Sequence, residues 1–376
     1  MIYLDHAATT PVRPEVLQAM WPYLTGDFGN PSSHHEVGES AARGLASARA
    51  SAATALGCRP AEVIFTSGGT EADNLAVKGI ALANPRGRHI VTTAIEHEAV
   101  LESCDYLRRH HGFEISLAPL SPEGVVDAAA FAELLRPDTT LATVMHASNE
   151  IGSVQPIPSL ADAAHGRGIP FHTDAVQSAG WLPVGLDVLG VDALSVSGHK
   201  LGAPKGVGVL AVRGAIPLEP VNHGGGQERG RRSGTENVAG AVAMATALSL
   251  MEPHPLTPVA RDLIVDGVLA AVPGAILTGH RTDRLPNHAS FCFPGTSGEA
   301  VLLELEARGV TCSSGSACAA GSDEPSHVLV ALGIDPEIAQ TAVRFTLDAE
   351  TTEGEAREVV ARVVEAVAAV GGLAAR

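Results

Sequence analysis

From Glu62 to Arg213 short apolar runs alternate with helical stretches, and few folds accept that pattern. EVIFTS (62–67), HIVTTAI (89–95), FEISLAPL (113–120), TLATVMHA (140–147), IPFHTDA (169–175), ALSVS (193–197) and GVGVLAV (206–212) read as strands. TEADNLAVKGIALA, EAVLESCDYLRRH, AAAFAELLR and SLADAAHGR read as helices between them. Such alternation predicts an α/β fold: a mostly parallel sheet covered on both faces by helices. The pattern changes after about Pro253. There ARDLIVDGVLAAV and GEAVLLELEARG read as helices, ASFCF and AVRFTLD as strands, and a smaller α+β unit is expected. After Gly354 the spacing of Glu358 and Arg362 predicts an amphipathic helix with that pair on one face.

Composition narrows the function. The 376 residues carry a formal net charge of −17, which disfavours binding to a nucleic-acid backbone. The N-terminus shows no signal-peptide pattern, and no apolar run reaches the length of a membrane span, so neither export nor a membrane role is expected. The 5 cysteines include no CxxC pair. That points away from a disulfide framework or a zinc site and towards a reducing cytoplasm. No metal site is expected among the scattered histidines.

Ligands of an open α/β sheet bind beyond the carboxyl ends of the strands, and polar residues gather at those ends here. Gly68, Gly69 and Thr70 follow the first strand; free N–H groups at a helix start would suit a phosphate, although Thr70 could equally be a simple cap. His97 follows the second strand and could stack on a flat ring. Asn149 follows the fourth. Asp174 ends the fifth, where a carboxylate could hold a protonated pyridine nitrogen, and Gln177 is close behind. Ser197, His199 and Lys200 follow the sixth. Lysine is scarce: Lys78, Lys200 and Lys205 complete the set. A Schiff base needs a primary amine, which arginine cannot supply. Lys78 reads as a solvated helix charge, whereas Lys200 stands on the crowded rim. Arg344, inside an apolar strand, needs a partner: an ion pair between elements, or a substrate carboxylate held by a bidentate clamp. Cys318, in SSGSACAAGSDEPSH, lies among small polar residues that suit an exposed nucleophilic thiol. Cys292 and Cys312 read as structural.

The motifs YLDHAATTP, GNPSSHH, FTSGGTEADN, EHEAV, SNEIG, HTDAVQ, SGHK, HGGGQERGRRSGT and SSGSAC follow one another along nearly the whole chain. In this they resemble the NifS/IscS-type cysteine desulfurases of the class V aminotransferase family, PLP-dependent enzymes of fold type I. The resemblance implies a large cofactor-binding unit at 14–253. It implies a small unit of 1–13 and 254–376 that carries a mobile catalytic cysteine loop at about 311–324. It implies pyridoxal 5′-phosphate joined to Lys200 through an imine. Gly69, Thr70, Ser197 and His199 would hold its phosphate, with Thr235 reaching the phosphate of a neighbouring subunit in a homodimer. His97 would stack on the ring and move protons near the substrate thiol, Asp174 would pair with the ring nitrogen, and Gln177 would bond the phenolic oxygen. Asn149 and Arg344 would grip the carboxylate of L-cysteine, and Asn30 would line the substrate pocket. Cys318 would take the sulfur as a persulfide, for a sulfur-acceptor protein in iron–sulfur assembly, tRNA thiolation, DNA phosphorothioation or another route. Ser148 and Ala203 depart from the usual family pattern without removing a catalytic group. The alternatives are a selenocysteine lyase or other PLP enzyme of the family and, more remotely, a catalytically silent sulfur-carrier scaffold.

Overall fold

The computed structural model describes residues 1–251, 259–315 and 324–374. Cys318 and the expected 253/254 boundary therefore lie outside the described residues. After a two-residue strand β1 (Ile2–Tyr3), the chain builds β2 (Val63–Thr66), β3 (His89–Thr92), β4 (Glu114–Leu117), β5 (Thr139–Thr143), β6 (Phe171–Asp174), β7 (Ala193–Ser197) and β8 (Gly208–Val212). These last seven form one sheet in the order β2-β8-β7-β6-β5-β3-β4. β8 runs antiparallel to both β7 and β2, and the other pairings are parallel. The expected sheet is thus present; each strand lies inside the run that predicted it except β5, which starts one residue earlier, at Thr139.

Side chains alternate across this sheet as the two-residue strand period requires. Val63 and Phe65 join a core on one face with the helices Glu36–Ala55, Ile157–His165 and Val238–Ser249. Ile64, Ile90, Leu141 and Leu210 join the core on the other, beneath the helices Gly69–Ala83 and Glu98–His111. The helix Val238–Ser249 is apolar nearly all round and largely buried.

The second sheet has the order β12-β13-β10-β9, built from β9 (Ile276–Leu277), β10 (His288–Cys292), β12 (Ser313–Ser314) and β13 (Ala342–Thr346). Its pairings are antiparallel. β11 (Val310–Thr311) pairs instead with β1, in parallel. Leu4 enters the core of this second sheet with Phe291, Phe345 and Val359, the last from the terminal helix Glu353–Ala374. Glu358 and Arg362 pair on that helix. Among the described residues no helix is long and apolar enough to cross a membrane.

Phe345 is fully buried and meets Phe291 edge-on at 6.2 Å between ring centroids. Phe345→Ala removes a ring the core cannot refill. It is expected to cost about 3–5 kcal/mol, measured by urea unfolding followed by circular dichroism.

Candidate active site

The sequence expectations converge in one cavity of about 310 Å³ beyond the carboxyl ends of the central strands. Gly69 and Thr70 reach it from β2, His97 from β3, Asn149 from β5, Asp174 and Gln177 from β6, and Ser197, His199 and Lys200 from β7. Arg344 reaches it from β13 in the second sheet. Ten expected residues, distant in the chain, thus face one space.

The floor is acidic and dry. Asp174 ends β6 and is buried; its Oδ1 accepts the N–H of Val176 at 2.8 Å. Burial pushes its carboxyl up, while His97 and Lys200 pull it back down. Asp73 also lines the cavity, from the helix Gly69–Ala83. Burial, and then the charge of Asp174, raise it well above the usual carboxylate range. His172, two residues before Asp174 and on the same face of β6, bonds Thr143 at 2.8 Å and Ser195 at 3.0 Å. Burial drives its pKa down to about 3, so the ring is neutral at physiological pH.

At the end where the sequence suggested an anion, the helix Gly69–Ala83 places Gly69 and Thr70 of its first turn on the cavity, where the N–H groups of a helix start and the helix dipole favour negative charge. A side chain at Gly69 would meet Cγ2 of Val176 at 2.8 Å, so only glycine lets the backbone come this close. His97 caps the helix Glu98–His111, its Nδ1 accepting the N–H of Ala99 at 3.1 Å. His199 is held near pKa 4 by burial, then by Lys200 and Lys205.

The N-terminal segment forms the facing wall. The Lys200 amine donates to the carbonyls of Ala7 and, at 2.8 Å, of Ala8. Gln177 Nε2 donates to the same Ala7 carbonyl at 3.0 Å. Thr10 Oγ1 donates to the His199 carbonyl at 2.8 Å. DHAATT was legible as a motif, but its role, a row of carbonyls against the lysine, depends on folding and carried no signal of its own. Of the other lysines, Lys205 is exposed. Lys78 is not simply solvated: it bonds Asn74 at 2.6 Å and sits 4.6 Å over the Tyr106 ring.

Arg344 is 1% exposed and makes the ion pair between elements that an arginine in an apolar strand calls for. It pairs with Asp5 at 2.9 Å, donates to the Asn149 carbonyl at 3.0 Å, and still faces the cavity. The buried His288, absent from the sequence expectations, supports that carbonyl from behind at 3.2 Å. Cys292 is fully buried and Cys312 partly so, with burial raising both thiols. Asn30 and Thr235 are exposed and do not line this cavity. Among the described residues no cluster of three metal-ligating side chains occurs.

The comparisons agree with this geometry. Residues 2–359 match the family described as Aminotransferase class-V. A cysteine desulfurase IscS of Dictyoglomus turgidum is 46% identical, the match covering 97% of this chain and 94% of that protein. A solved structure titled NifS-like protein superposes with a TM-score of 0.90 at 36% identity, covering 98% of this chain and 99% of the other. Another, titled SspA in complex with cysteine, gives 0.82 at 34% identity over 94% and 100%. The chain belongs to the class-V aminotransferase family and, within it, to the NifS/IscS-type cysteine desulfurases.

The buried histidines contribute stability that is lost in acid. His146 and His172 are held by burial near pKa 4 and 3, below the ordinary value of about 6.5. Between those values the unfolded chain binds more protons than the native one. Their contribution is therefore complete above about pH 6.5 and is lost as pH falls. The raised carboxyls of Asp73, Asp174 and Glu96 act in the opposite sense over this range, so the histidine contribution shows as a difference: on going from pH 7 to pH 5 the urea midpoint of the cofactor-free protein should shift downward by more than that of His172→Asn.

Proposed function

We propose that this enzyme takes sulfur from L-cysteine onto Cys318 and leaves L-alanine, with pyridoxal 5′-phosphate seated in the cavity. The observation that carries the reading is a lysine amine and a desolvated carboxyl, Lys200 and Asp174, facing one space from the ends of neighbouring strands. The family is PLP-dependent, and the donor set fits that cofactor: an amine for the aldehyde, an acid for the ring nitrogen, and a helix start for the phosphate. Bound there, pyridoxal phosphate would supply an electron sink for breaking bonds at the amino-acid Cα.

This chain's residues do the rest. Gly69 and Thr70, with Ser197 and His199, hold the phosphate. Asp174 keeps the proton on the ring nitrogen, Gln177 addresses the phenolic oxygen, and His97 covers the ring. Arg344 and Asn149 hold the substrate carboxylate, which sets the Cα–H bond towards Lys200. The Lys200 amine then takes the Cα proton, and His97 handles the proton of the substrate thiol. The Cys318 thiolate attacks the substrate sulfur: the new S–S bond forms, the Cβ–S bond breaks, and the electron pair stays with the carbon skeleton, which is protonated to alanine. Binding of cysteine by a relative whose chain this one covers end to end supports the choice of substrate.

The persulfide then passes to a sulfur-acceptor protein, and a thiol of this kind needs a reducing compartment such as the cytoplasm. A homodimer completes the site. Thr235 stands exposed away from its own cavity, which supports its delivery to the phosphate of a second copy. Asn30 belongs to the substrate side of the completed site.

Borohydride reduction followed by peptide mapping should place the cofactor on Lys200 and not on Lys78 or Lys205. Cys318→Ser should keep the yellow colour while losing alanine formation by more than about a hundredfold. A colourless protein after cofactor addition, or undiminished sulfide release, would defeat the reading.

A further inference from the structure

Two adjacent residues that are not glycine, Glu228 (φ 47°) and Arg229 (φ 60°), lie in the left-handed backbone region. Residues with a Cβ hold that conformation only where their surroundings impose it, and the imposing contacts are visible. Glu228 is buried and meets Arg49 in a two-pronged ion pair at 2.6 and 2.7 Å. Its Oε2 also accepts the N–H of Phe65 at 3.3 Å. The Val63 carbonyl accepts from Arg49 at 2.8 Å and from Arg229 at 2.7 Å. Val63 and Phe65 belong to β2, an edge strand, and an edge leaves backbone groups open. The Arg49–Glu228 pair and Arg229 occupy them.

The other end of the segment is tied to the helix that opens beside Thr70. Arg232 pairs with Glu71 at 2.7 Å, Asn222 donates to Glu71 at 3.0 Å, and Glu71 accepts the N–H of Ser67 at 2.7 Å. Gln227 Oε1 accepts the N–H of Gly234 at 2.9 Å, closing the segment on itself. The next residue, Thr235, is exposed and does not line the cavity of its own chain.

We infer that Glu228, clamped by Arg49, is the positioning residue that fixes residues 222–236 so that Thr235 is presented to the cavity of a second copy of this chain. The inference rests on the homodimer reading above. A segment that completes another chain's site must hold its shape before it docks, because ordering it on arrival would subtract from cofactor affinity. A buried carboxylate is costly to desolvate. What it secures here is a backbone shape that would relax without it.

Glu228→Gln keeps the volume and removes the charge. Its homodimer should bind pyridoxal phosphate at least about tenfold more weakly, read by absorbance titration, with unchanged circular dichroism. Differently tagged Glu228→Gln and Lys200→Ala subunits, co-expressed and purified as mixed dimers, then separate the two copies. In them the intact segment of the Lys200→Ala subunit meets the intact lysine of its partner, so affinity and alanine formation return at one of two sites. A Thr235→Ala and Lys200→Ala pair runs in parallel. Rescue of the Thr235 pair without rescue of the Glu228 pair overturns the inference and leaves the dimer reading standing. Rescue in neither overturns both. Undiminished affinity in the Glu228→Gln homodimer overturns the inference alone. Should Glu228→Gln not fold, Arg49→Lys, which keeps the charge and gives up the two-pronged geometry, goes through the same pairs with the same outcomes.

Discussion

A carboxyl group held out of water at the end of a central strand loses the hydration that keeps it ionised. Asp174 is in that position, with the equally buried Asp73 close enough to raise the cost of a second charge. The polar groups beneath, Thr143, His172 and Ser195, bond one another around a neutral imidazole and bring no cation to the floor. The groups that draw the Asp174 carboxyl back down, His97 and Lys200, line the cavity itself. The charge balance of the floor is therefore open to whatever occupies the cavity, as a site for a protonated heterocycle requires.

The first ten residues tie the two sheets to that site. β1 lies against β11, Asp5 pairs with Arg344, and Ala7 and Ala8 receive the Lys200 amine. The Tyr3 hydroxyl donates to the carbonyls of Asp5 and Thr9, each at 3.1 Å, and stiffens the turn between them. One short segment thus holds both the expected covalent anchor and the expected carboxylate clamp. A shift in it would move the two together.

The large sheet was legible because strand and helix periods alternate cleanly from Glu62 to Arg213. The helices Glu36–Ala55 and Val238–Ser249 were not singled out. The second is apolar nearly all round and offers no one-sided stripe; the first does bury one face, but with glycine and alanine in place of large apolar residues, apart from Leu45, so the stripe is faint in sequence. Lys200 was legible from chemistry, since so few amines compete with it. The roles expected of Thr235 and Asn30 come from resemblance alone, because nothing near them in sequence names a ligand. The Arg49–Glu228 pair could not be read at all: its members stand 179 positions apart, and neither sits in a pattern that calls for a partner.

The pairing of Ile2 with Val310, and of Asp5 with Thr346, has a consequence for biosynthesis. Ile2 and Asp5 are synthesised long before Val310 and Thr346, their partners. Contacts so distant along the chain are the slowest to close. Ala7, Ala8 and Thr10 can meet Gln177, His199 and Lys200 once the large sheet is made, whereas Asp5 must wait for Arg344 and Thr346. The wall of the cavity that Arg344 supplies is thereby the last to close.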